Sequence, residues 1–80
     1  MNNIDKVFYV AEEWDSQTHE WKPLRLDYNF DIINGIACEV SNKYQAITRV
    51  RAYNTKKYQV VVAAYINGFY IPQSLIFNCE

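Results

Sequence analysis

One stretch of this sequence, and only one, carries the period of a helix. From Asn29 to Tyr44 the apolar residues Phe30, Ile33, Ile36, Ala37, Val40 and Tyr44 return at three- and four-residue steps, with Asp31, Asn34, Glu39 and Lys43 between them. That spacing predicts an amphipathic helix. Asn29 is placed to cap its first amides, Asp31 lies near the positive end of the helix dipole and Lys43 near the negative end. Gly35 inside it costs about 1 kcal/mol against alanine, and the expectation is that a strand packs closely there.

The flanks read as strands. Residues 7 to 14, VFYVAEEW, are β-branched and aromatic; Asp15 to Glu20 supply turn chemistry; Trp21 to Leu26 resume an extended pattern, so a hairpin precedes the helix. Pro23 donates no backbone hydrogen bond, which places the second strand at a sheet edge. After the helix, Ala46–Tyr53 and Tyr58–Ile66 are joined by Asn54-Thr55-Lys56-Lys57, and Asn67-Gly68 is a strong hairpin signal. A fifth strand is expected from Phe69 to about Phe77, interrupted near Pro72. The expected fold is a single α+β domain over residues 1–80, an antiparallel sheet of about five strands with one helix on one face, in the order ββαβββ.

Pairing Tyr53 with Tyr58 and Ile66 with Phe69 sorts the residues by face. One face then carries Thr48, Val50, Ala52, Val61, Ala63, Tyr65 and Tyr70, and suits a helix. The other carries Ile47, Arg49, Arg51, Tyr53, Tyr58, Val60, Val62, Ala64, Ile66, Phe69 and Ile71, and is not polar either. One helix covers one face, so the second is expected to be covered by the N-terminal hairpin, another subunit or a partner.

Composition narrows the class of protein. Eighty residues make one domain with a small core, and a chain that is half apolar and 16% aromatic is far from disordered compositions. The longest apolar run, Val60 to Ile66, is far below the roughly 20 residues that span a bilayer. Asp5 and Lys6 do not make a signal peptide. Cys38 and Cys79 are the only cysteines, which fits reduced thiols in a cytoplasm. Residues 1–42 hold eight acids against three bases and residues 43–80 five bases against Glu80, a balance of −5 against +4 that either cancels across the sheet or steers a charged partner.

Catalytic constellations are not apparent. His19 is the one histidine and falls in a turn, while Cys38 lies beside the apolar stripe of the helix, where an inert side chain is the commoner role. His19, Cys38 and Cys79 fall short of a zinc site. Two glycines provide no phosphate cradle. No enzyme activity, metal or cofactor is expected.

Two surfaces are left as candidates for binding. The first is Arg49, Arg51, Tyr53, Lys56, Lys57 and Tyr58, residue types enriched at protein interfaces and also able to contact nucleic acid. The structural alternative is arginine stems packed along the sheet. The second is Glu12, Glu13, Trp14, Asp15, Glu20 and Trp21, an acidic cluster with two tryptophans that either pack on each other or anchor a basic partner.

The run Trp14-Asp15-x-x-Thr18-x-Glu20-Trp21-x-Pro23-Leu24, leading into a lone helix and Ile47-Thr48-Arg49-Val50-Arg51, resembles in size and style the small accessory proteins of phages and mobile elements. That group includes anti-CRISPR inhibitors of host defence. The resemblance transfers no individual residue; it implies inhibition by occluding a macromolecular surface, in a host cytoplasm. The leading expectation is a non-enzymatic protein-binding module. The alternatives are a small nucleic-acid-binding protein, disfavoured by a pI of about 5.7, and a structural homodimer joined through the open sheet face. No membrane association is expected.

Overall fold

The computed structural model describes residues 6–56 and 59–72. Its elements are β1 (Phe8–Asp15), β2 (Glu20–Asp27), α1 (Phe30–Tyr44), β3 (Ile47–Tyr53), β4 (Gln59–Ile66) and β5 (Phe69–Tyr70). They form an α+β fold with one antiparallel five-stranded sheet in the spatial order β2-β1-β3-β4-β5. Pro23 lies in the edge strand β2, where a missing donor costs least. Among the described residues no helix is long and apolar enough to cross a membrane.

The helix starts and stops as its sequence dictates. Asn29 Oδ1 accepts from the Ile32 N–H at 3.2 Å, and Gln45 adopts a left-handed conformation (φ 52°) that ends the helix. Its stripe packs Ile33 and Ala37, both fully buried, onto Ala11, Val50, Ala63 and Tyr65. Tyr44, expected on that stripe, is exposed, and Ser41 is buried in the last turns instead. Ser41 Oγ donates to the Ala46 carbonyl at 2.6 Å and accepts from the Gly68 N–H at 2.8 Å, tying the helix end to the β4–β5 turn. Thr48, also fully buried, donates to the Ala37 carbonyl at 2.7 Å. These side-chain bonds satisfy backbone groups that the helix and sheet leave over.

Three expectations are corrected. A Cβ at Gly35 would meet nothing within 4 Å, so no strand packs closely against it; the glycine sits on the exposed side of the helix. Tyr53 pairs with Gln59 rather than Tyr58, and β4 carries an extra residue farther along: Val50 opposes Ala63 while Arg51 opposes Val61. This bulge resets the alternation, so Val61 joins the face of Arg51, and Val62 packs against the core cluster. The N-terminal hairpin covers neither face, since β1 pairs with β3 along six residue pairs and so widens the sheet. Strand β5 ends at Tyr70, and the strand expected on to Phe77 lies largely outside the described residues.

Candidate sheet-face interface

The ladder registers define the face opposite the helix. Side chains on directly paired residues share a face, so Glu12 stands beside Arg49, Val10 beside Arg51 and Phe8 beside Tyr53, with Pro23 and Leu26 outward on β2 and Ala64 and Val61 on β4. Ile47, Ile66 and Phe69 form a further row toward the β4–β5 turn. Among the described residues no element lies over this face.

Both surfaces expected from sequence meet here. Glu12, Trp14 and Trp21 come from the acidic hairpin; Arg49, Arg51 and Tyr53 come from the basic one. The insertion of β1 beside β3 makes them neighbours. Arg49 donates from Nε to Glu12 Oε1 at 2.7 Å, and Arg51 Nη1 stands 3.8 Å from the same oxygen. The Arg49 guanidinium lies 3.9 Å from the Trp21 ring centre, and that of Arg51 lies 5.3 Å from the Tyr53 ring. Trp21 packs on Trp14 at 5.3 Å, as the cross-strand tryptophan pairing anticipated. Tyr53 stacks on Phe8 at 5.2 Å with rings 5° from parallel, and Tyr28 meets the edge of Phe8 at 6.0 Å.

The face therefore has a charged centre and apolar ends. Glu12 is only 7% exposed. Within the acidic cluster singled out from sequence it is already engaged, as the shared anion of two arginines of the same chain. Leu26 (53% exposed), Tyr28, Ile47, Ile66 and Phe69 (77%) present apolar surface to solvent around it. They form two groups at opposite ends of the face, Leu26 with Tyr28 and Ile47 with Ile66 and Phe69, each more than the single exposed hydrophobe normal on a monomer.

The other acids of the hairpin lie apart from this face. Glu13 and Lys22 are paired on the opposite side of the ribbon, and Asp15 is bonded to Lys22 at 2.7 Å. Asp15 also accepts the Gln17 N–H at 2.9 Å, closing the hairpin loop. The Lys22 ammonium, followed by the Gln17 amide, holds the Asp15 carboxyl down at about 2. Glu20 pairs with Asp15 at the strand ends and is exposed. A concavity of about 310 Å³ lies between Glu13, Trp14, Asp15, Ser16, Gln17 and Lys22, with Asp15 and Lys22 already engaged by each other. His19 is exposed, its ring centre 6.1 Å from that of Trp14 in an edge-on arrangement. Cys38 is half-buried against the core cluster.

Lys56 is exposed in the β3–β4 connection, its N–H bonded to Asn54 at 2.9 Å. Lys57, Tyr58 and Cys79 lie outside the described residues. Phe8, Val10, Leu26 and Tyr28 belong to the face and were not singled out from sequence. The alternation Phe8, Val10, Glu12, Trp14 was the available signal, but it names a shared face without saying which strand lies alongside. No protein-family model, curated protein or solved structure matches this chain.

Proposed function

We propose that this chain is a non-enzymatic protein-binding module whose contact surface is the sheet face opposite the helix. One observation carries the reading: a five-stranded sheet has its helix on one side, and the other side presents Arg, Trp and Tyr at its centre with exposed Leu26, Ile66 and Phe69 around them. That is the composition of an interface with anchoring residues inside and apolar complementarity outside. Binding by a broad face acts through occlusion of the partner. Inhibition of a larger complex is the role favoured by the resemblance to small phage accessory proteins.

The test is co-purification of the tagged full-length chain from its native cell, with three variants beside it. Leu26→Arg and Ile66→Asp change exposed residues of the face, and Glu39→Lys changes the exposed side of the helix. The partner should be lost with the first two and kept with the third. Loss with Glu39→Lys alone would move the interface to the helix.

A further inference from the structure

The same face carries a charge imbalance that specifies its partner, an inference that rests on the proposed interface. Among the described residues the registers place one acid on the face, Glu12, and two bases, Arg49 and Arg51. Arg49 takes the close bond to Glu12 at 2.7 Å, and Arg51 is left at 3.8 Å from the same oxygen. The Arg51 side chain keeps 23% exposure, so the part of its charge that Glu12 does not meet is open to water. A partner that lies flat on this face strips that water. A guanidinium desolvated without a counter-charge is strongly unfavourable, whereas one meeting a carboxylate gains two parallel charge-assisted hydrogen bonds.

We infer that the occupant of this face is a protein segment presenting an aspartate or glutamate to Arg51, flanked by apolar side chains that fit against Leu26, Tyr28 and Val61. The charge count disfavours a second copy of this chain, because two copies face to face would set four guanidiniums against two carboxylates in a dry layer. It also disfavours nucleic acid, whose binding depends on neutralising many phosphates and is opposed by a carboxylate at the centre of the surface.

A random peptide display library panned on the immobilised full-length chain tests this directly. Selected peptides should converge on one acidic residue between aliphatic or aromatic ones. Arg51→Gln and Arg51→Met should each weaken a selected peptide by about tenfold or more, with melting curves confirming that both variants fold. In Arg51→Glu, replacing the peptide's acid by lysine should restore binding. Peptides without an acid, or no enrichment at all, would overturn the inference. So would displacement by an oligothymidylate that weakens steeply with salt, or a dimer in light scattering that Arg51→Glu dissociates. If Leu26→Arg abolishes peptide binding and the Arg51 variants do not, the face stands and the carboxylate falls; if neither has an effect, the interface reading fails as well.

Discussion

The Arg49 guanidinium is held between an aromatic ring and a carboxylate: Trp21 lies 3.9 Å below it, and Glu12 receives its Nε–H at 2.7 Å. Lysine cannot reproduce this arrangement, because an ammonium offers neither the planar surface nor the directed Nε–H. Arg49→Lys should cost about 1 kcal/mol in urea unfolding. Glu12→Ala leaves two partly buried cations without their anion and should cost about 3 kcal/mol. A double-mutant cycle between Glu12→Ala and Arg49→Ala should return a coupling of about 1–3 kcal/mol, measured by equilibrium unfolding.

Gly68 has φ +86°, and a Cβ there would stand 2.8 Å from Asn42 Cβ. Alanine would therefore be strained twice, by its backbone conformation and by a clash with the helix. Gly68→Ala should lose about 2 kcal/mol or more. Ser41→Ala, which orphans the Gly68 N–H and removes the donor to Ala46, should lose about 1–3 kcal/mol. Since both act on one junction, the double variant should lose less than the two single losses combined, as read from thermal melts.

Gly35 offers the opposite outcome. It lies inside the helix, exposed, with open space where a Cβ would go. Gly35→Ala should raise stability by about 1 kcal/mol without altering binding at the sheet face. A raised urea midpoint with an unchanged slope would establish it.

The hairpin tip sets a pH dependence at both extremes. Asp15 is lowered from its usual 3.8 to about 2, so its contribution is present above the unfolded value and is lost as the pH falls through about 2. Lys22 is raised above its usual 10.5, chiefly by the hydrogen bond to Asp15, so its contribution is present below that value and fades as the pH rises through the folded one. Between these limits the pair should add no slope. Carboxyl chemical shifts followed by NMR should titrate near 2 for Asp15, and Lys22→Ala should move that value up.

The sequence announced the elements well and their neighbours poorly. The helix period, the Asn29 cap, the Asn67-Gly68 turn and the edge position of Pro23 are local signals, and each corresponds to the observed element. The pairing of β1 with β3 joins residues some forty positions apart and has no local signature. For that reason two half-surfaces, one acidic and one basic, were legible while their union through Glu12 and Arg49 was not. Gly35 misled because a glycine in a helix marks close approach in some folds and a tolerated cost in others, and periodicity does not distinguish the two.

The bulge in β4 has a consequence for how the chain can change length. Val62 is the one surplus position in the pairing of β3 with β4. A variant lacking it would let Val61 follow Ala63 in a regular ladder, with Arg51 and Val50 keeping the neighbours they have. Because positions 60, 61 and 62 are all valine, loss of any one of them yields the same chain, and the ladder closes in the same way whichever codon is lost. The strand thus holds one removable residue, and natural or engineered shortening of this hairpin should be tolerated there before anywhere else along it.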